Sequence, residues 1–247
     1  MFKSNKCTKL NVRNEVCLPN IETLNYVSGT ILKARSLQKL SNLRELGLFG
    51  INDQHINVIS GKTPISEKLH NLQLAVDQEF KKRLNLSHYD HLTKLTLIGR
   101  FCDTLTPDII EFPPNLIYLS LRHMVFTEDP MKVLKELPRL EILRLFCRKY
   151  SQSITFDFSG ENSFPELQVL SIISSDVDGI PELIVDQTGM PKLYKFVCSE
   201  KDLNVPERLR KIMVESSSIE EVSVLVLVLI MVYTVSSLFS SFLTIKY

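Results

Sequence analysis

FPPNLIYLSLRHMVFTEDPMKVLKELPRLEILRL, from Phe112 to Leu145, states one six-residue phrase twice: LIYLSL at Leu116–Leu121 and LEILRL at Leu140–Leu145. Leucine fills the first, fourth and sixth places of both copies, which start 24 residues apart. The fourth and sixth places alternate with other residues, the period of a strand that buries one face and shows the other. The leading leucine is placed to anchor the loop that approaches the strand. Toward the amino terminus the phrase recurs as LTKLTL (Leu92–Leu97), LHNLQL (Leu69–Leu74), LRELGL (Leu43–Leu48) and IETLNY (Ile21–Tyr26). Toward the carboxyl terminus it recurs as LQVLSI (Leu167–Ile172) and LYKFVC (Leu193–Cys198). Consecutive starts lie 22, 26, 23, 24, 24, 27 and 26 residues apart, and leucine supplies 37 of the 247 residues.

One such unit cannot cover its own apolar face, whereas stacked neighbours share a continuous core. Strands stacked at about 4.8 Å would make a parallel sheet about 34 Å long over eight copies. The spacing is that of leucine-rich repeats. The expected fold is therefore an α/β, right-handed leucine-rich-repeat solenoid, a horseshoe of about eight irregular repeats with a parallel concave sheet. Loops and short helices should join the strands, for example Asp129–Leu137, with Asp129 as N-cap and Pro130 at the first helical position. Pro113-Pro114, Pro165 and Pro191 each precede a strand leucine, where proline favours extended chain. Tidy repeats often carry Asn or Cys three residues after the strand, to bond loop backbone. This chain has Ile51, Asp77, Arg100, Met124, Arg148 and Ser175 there. Its loops must be satisfied one by one.

Composition narrows the function. Hydrophobic residues make up 44% and charged residues 23%, and the net charge of +1 offers no basic field for nucleic acid. Five cysteines without a CxxC pair argue against a zinc site or disulfide framework and favour a reducing compartment. No apolar run follows Met1, so no signal peptide is expected. Gly61-Lys62-Thr63 mimics the end of a phosphate loop, but Ile56 stands where that motif needs glycine and Pro64 follows, so it reads as an inter-repeat turn. His88-Tyr89-Asp90-His91 reads as a solvent-facing turn, since no further ligand arrives at metal-site spacing. Asn85-Leu86-Ser87 matches a glycosylation sequon that matters only in the secretory pathway. With no GxSxG elbow and no Cys/His/Asn framework, we expect no enzymatic activity, cofactor, metal or small-molecule substrate.

The carboxyl end is compositionally foreign. Val222 to Ile245 is 24 residues without a charge. As a helix it would be about 36 Å long against a hydrocarbon core of about 30 Å. Arg208, Arg210 and Lys211 precede it and only Lys246 follows, which would hold the repeats in the cytosol if it anchors a membrane. The other readings are a hydrophobic cap on the solenoid end and translated intron or frame-shifted sequence. The expected organisation is a partial cap at 1–17, the repeats at 18–214, a linker at 215–221 and a transmembrane or hydrophobic tail helix at 222–245.

The segment Phe112–Leu145 resembles the repeat domain of plant intracellular disease-resistance proteins of the coiled-coil, nucleotide-binding, leucine-rich-repeat type. LPNIETL (Leu18–Leu24), SLQKLSNLRELGLFG (Ser36–Gly50), LTKLTLIGRF (Leu92–Phe101) and FPELQVLSI (Phe164–Ile172) share the resemblance. GMPKLYKF (Gly189–Phe196) and VPERLR (Val205–Arg210) are similar to the family's last repeats, so the likeness covers residues 18 to 214. The resemblance implies recognition in the cytoplasm of a protein partner: a pathogen effector, a host guardee or the family's nucleotide-binding domain. No nucleotide-binding domain precedes the repeats here, so ATP or ADP binding does not carry over. The alternatives are a truncated, membrane-tethered adaptor, a cell-surface receptor-like repeat protein, or a gene fragment without independent activity.

The residues placed to carry recognition face outward from the strands, because solenoids bind through that surface. By alternation they are Glu45 and Phe49; Lys94 and Thr96; Tyr118, Ser120 and Arg122; Ile142, Arg144 and Phe146; Ser171; and Lys195. Gly47, Ile98, Val169, Ile173 and Val197 share the alternation. Four basic residues against one acid, together with Tyr118 and Phe146, compose a mildly basic, aromatic-bearing patch of the kind that reads proteins.

Overall fold

The structure is a computed structural model. It describes residues 20–77, 82–99, 101, 109–150, 154–174, 180–198 and 205–215, with backbone alone at 148–150 and 215. The chain divides into two units, Met1–Val214 and Glu215–Tyr247. Nearly all of the second lies outside the described residues, the Val222–Ile245 segment included, as do residues 1–17. Among the described residues no helix is long and apolar enough to cross a membrane.

In chain order the elements open with β1 (Thr23–Ser28), α1 (Ala34–Leu37), β2 (Glu45–Phe49), α2 (Asp53–Ile59), β3 (Asn71–Ala75), β4 (Leu84–Asn85) and β5 (Lys94–Ile98). Next come β6 (Ile110–Glu111), β7 (Tyr118–Phe126), α3 (Met131–Leu134), β8 (Ile142–Tyr150) and β9 (Thr155–Asp157). The last are β10 (Val169–Ser174), β11 (Glu182–Ile184), β12 (Lys195–Cys198), α4 (Glu207–Arg210) and β13 (Met213–Glu215). One nine-stranded sheet runs β1-β2-β3-β5-β7-β8-β10-β12-β13. Every pairing from β1 to β12 is parallel. Each of the eight sequence copies contributes one of those strands, so the chain forms a parallel-strand solenoid with few helices. Two small parallel pairs, β4–β6 and β9–β11, lie in the connections between sheet strands.

The register follows from the leucines. Leu46, Leu72, Leu95, Leu119, Leu143 and Leu170 stand side by side across six strands, as do Leu48, Leu74, Leu97, Leu121, Leu145 and Ile172. All twelve are 0–2% exposed. A slip of one residue would turn a whole row to solvent, at about 1.5–3 kcal/mol per side chain. β1 departs from this order: its register shifts between Leu24 and Val27, Tyr26 has φ 59°, and Leu24 and Val27 are only partly buried.

The connections satisfy their backbone individually, as the missing Asn row requires. Ile51 and Met124, at two of those positions, are buried apolar residues. Polar side chains elsewhere close local turns. Asn52 caps α2 with a reciprocal His55 bond, and Ser66 Oγ accepts from Lys68 N. Asn85 Oδ1 accepts from Ser87 N, and Asp157 Oδ1 from Ser159 N, each at 2.9 Å. Asp129 corrects the helix expected over 129–137. The helix is the four residues of α3, and Pro130 occupies its N-cap position. The Asp129 carboxylate still accepts from Met131 N, at 2.9 Å, while its other oxygen accepts from Asp157 N in the next connection. Burial raises the Asp129 pKa and these two bonds hold it down. Arg208 of α4 donates to the carbonyls of Asp186, Gly189 and Met190.

Two predictions follow from this backbone. Gly99 has φ +103°, and a Cβ there would sit 2.3 Å from the Val76 carbonyl oxygen, whereas Gly160 has φ +111° with open space around it. Gly160→Ala therefore tests left-handed strain alone, at about 1–2 kcal/mol, and Gly99→Ala adds a collision with backbone. Urea unfolding should show Gly99→Ala as the more destabilising; equal losses would contradict the close approach. Asp186 accepts backbone N–H bonds from Gly160, Thr188 and Gly189, and those from the two glycines lead in lowering its pKa to about 2. Because its folded pKa is depressed below 3.8, its stabilisation is complete above that value and is lost as pH falls toward 2. The stability gap between the natural chain and Asp186→Asn should be flat from pH 6 to 5 and shrink from pH 4 to 2. A gap unchanged down to pH 2 would remove the carboxylate from this role.

Candidate protein-recognition face

Side chains that alternate with the leucines form three parallel columns across the sheet. One reads Glu45, Asn71, Lys94, Tyr118, Ile142, Val169, Lys195; the next Gly47, Gln73, Thr96, Ser120, Arg144, Ser171, Val197. The third reads Phe49, Ala75, Ile98, Arg122, Phe146, Ile173. The twelve residues singled out from the sequence all fall in these columns, so register brings them onto one face.

Their depths differ. Lys94 and Lys195 are exposed, and Glu45, Phe49, Thr96, Tyr118, Arg122, Ile142, Arg144 and Phe146 are half-buried. Ser120 and Ser171 are 0% and 4% exposed. Both are short and stand in register on either side of Arg144, so longer neighbours cover them. Gly47 and Ile98 are buried as well. Sequence reasoning passed over two half-buried residues of β3, Asn71 between Glu45 and Lys94 in register and Gln73 between Gly47 and Thr96. The same alternation in LHNLQL would have found them.

The centre of the face is organised by charge over rings. The Arg122 guanidinium carbon lies 4.7 Å from the centroid of Phe146, its neighbour in register on β8. Arg122 Nε also donates to Ser120 Oγ at 3.2 Å. The Arg144 guanidinium carbon lies 5.8 Å from the centroid of Tyr118 on the adjacent strand. Each stack helps to orient its cation and lays it against an aromatic ring. The arrangement can hold polar and anionic side chains, and it displays rings for contact.

The remaining polar motifs serve the fold. Tyr89 corrects the solvent-facing turn: it is 2% exposed, its hydroxyl donates to the Ile59 carbonyl and accepts from Ile65 N, and burial pushes its pKa up to about 12. His88 beside it is half-buried, and burial lowers its pKa. Gly61 to Thr63 form a turn after α2, with Gly61 N donating to the Val58 carbonyl. Cys147 and Cys198 are buried and in no disulfide, and burial pushes Cys147 up to about 12. Among the described residues no group of three or more His, Cys, Asp or Glu side chains is placed to hold a metal ion.

The sequence profile of the leucine-rich repeat region family matches residues 3–235. The "ToMV resistance protein Tm-2(2)" of Solanum lycopersicum is 34% identical over 200 residues, covering 78% of this chain and 22% of that protein. The "ToMV susceptible protein tm-2" of the same plant is 32% identical over 200 residues, with the same coverage of each. "Disease resistance protein RPP13" of Arabidopsis thaliana is 27% identical over 198 residues, 77% of this chain and 21% of that one. The chain thus spans about a fifth of the length of these relatives. No solved structure matches it.

A double-mutant cycle tests the central stack. Arg122→Gln and Phe146→Leu, measured singly and together by urea unfolding, should show a coupling of about 0.5–1 kcal/mol. Additive effects would mean that the guanidinium does not rest on the ring.

Proposed function

This chain belongs to the leucine-rich repeat region family, and from that premise we propose that it is a non-catalytic protein-recognition module of plant defence. The observation that carries the reading is the basic, aromatic strand face set on a shared leucine core, in a chain whose relatives are named for disease resistance. The face reads a protein partner: a pathogen effector, a host guardee, or a nucleotide-binding domain that the repeats restrain. Residues 18–214 form the recognition domain, a curved right-handed horseshoe of about eight repeats. It acts in the cytoplasm, and Val222–Ile245 tethers it to a membrane; support for the tether is the uncharged run alone.

Recognition should be separable from folding, because the columns that face out are not the columns that pack. Replacing Tyr118, Arg122, Arg144 and Phe146 together with alanine should abolish association with partners recovered in a two-hybrid screen of host and viral proteins. The melting temperature should move by only a few degrees. Partners bound equally by the quadruple variant would place recognition elsewhere on the chain.

A further inference from the structure

Resting on that reading, we propose that the centre of the face accepts a carboxylate side chain of the protein partner, with Arg122 as the principal anchor and Arg144 beside it. The argument begins with orientation. Arg122 is held by two contacts, Nε to the Ser120 hydroxyl and the guanidinium over the Phe146 ring. A guanidinium has five N–H donors in a planar fork, and Ser120 engages one of them, which leaves the terminal nitrogens for a bidentate acceptor. A fork fixed before binding loses little side-chain entropy when the partner arrives.

Local charge points the same way. In register Arg122 lies between Ile98 and Phe146, with Ser120 two residues before it on its own strand. None of these carries negative charge. The one acid in the three columns, Glu45, is on β2, with β3 and β5 intervening before β7. Arg122 is half-buried, and a cation partly withdrawn from water is screened less by salt. An anion supplied from outside therefore gains more here than at an exposed lysine.

Register completes the case. Ser120 and Ser171 flank Arg144 in register, with Tyr118 and Ile142 in the column on one side and Arg122 and Phe146 in the column on the other. The cations therefore stand among neutral residues, where a single acidic side chain from a partner meets no competing acid in register. Nucleic acid fits poorly, since its phosphates call for a basic stripe and the chain's net charge is +1.

The test is selection of a displayed random dodecapeptide library on the full-length chain, followed by titration of the enriched peptides. Enriched sequences should carry Asp or Glu at a fixed position. Their affinity should fall about tenfold or more with Arg122→Gln, and severalfold with Arg122→Lys, which keeps the charge but not the fork. Ser120→Ala, which frees Nε at unchanged charge, should cost a smaller factor. Arg139→Gln, at an exposed site bonded to Asn115, should cost nothing. Circular dichroism checks that each variant folds. Peptides that lose binding in the quadruple alanine variant but carry no fixed acid overturn the carboxylate inference and leave the recognition reading standing. Peptides indifferent to the quadruple variant overturn both. Displacement by inorganic phosphate well below the concentration needed for acetate marks a phosphate site, and also overturns the carboxylate assignment.

Discussion

Everything in this molecule depends on apolar rows shared between strands. A single copy of the repeat has three leucine positions and no second layer to cover them. Placing Leu46, Leu72, Leu95, Leu119, Leu143 and Leu170 in one register makes every strand's neighbours its cover. The leading leucines Leu43, Leu69, Leu92, Leu116, Leu140 and Leu167 close the same core from the loop side, and all are at most 1% exposed. Stability of this kind is a sum over adjacent units, so the rows are weakest where a strand leaves the shared register. β1 does so, with its register shift, its left-handed Tyr26 and its partly buried Leu24 and Val27.

The strands were legible because their signal is periodic and their energetics are large. Eight phrases at near-constant spacing named eight strands, and alternation named the buried side of each. The connections were not legible to the same degree. Their order comes from single hydrogen bonds of about 1 kcal/mol, made by residues that recur without a common period. Asn52, Ser66, Asn85, Asp129, Asp157 and Asp186 each close a turn through a side-chain oxygen, and the family-typical Asn position holds buried Ile51 and Met124 instead. A local pattern such as Asp157-Phe158-Ser159 or Asp186-Gln187-Thr188 was readable as a turn, but not as a substitute for the missing row. α3 shows the same limit: the run 129–137 read as one helix capped by Asp129, whereas the helix is four residues long and Pro130 stands at its N-cap.

The face was half legible. Alternation assigns a side chain to a side of the sheet, and all twelve chosen residues lie in the outward columns. Depth is a different property, set by the residues one strand away. Ser120 and Ser171 point outward and are still buried, because a hydroxymethyl group ends below its neighbours. The stacks of Arg122 on Phe146 and Arg144 on Tyr118 were beyond a one-dimensional reading for the same reason. Each joins residues 24 or 26 positions apart, and the contact exists only once parallel register is fixed.

That division of labour explains how such a chain can vary in what it reads without losing its fold. Leucine rows tolerate little change, since truncating a buried leucine costs about 2–5 kcal/mol. The outward columns carry almost none of that load, and a substitution there alters charge, ring or depth at one point of a continuous surface. Relatives named for resistance and for susceptibility to the same virus match this chain to nearly the same extent. Overall similarity therefore follows the scaffold, which both must keep, and is a poor guide to outcome. Discrimination between partners requires a few positions where the face is chemically distinctive. In this chain the most distinctive is the pair of arginines laid over rings at the centre of the face. Burying a cation costs least when the covering surface supplies an acceptor, so that point of the face discriminates by charge where the leucine rows cannot.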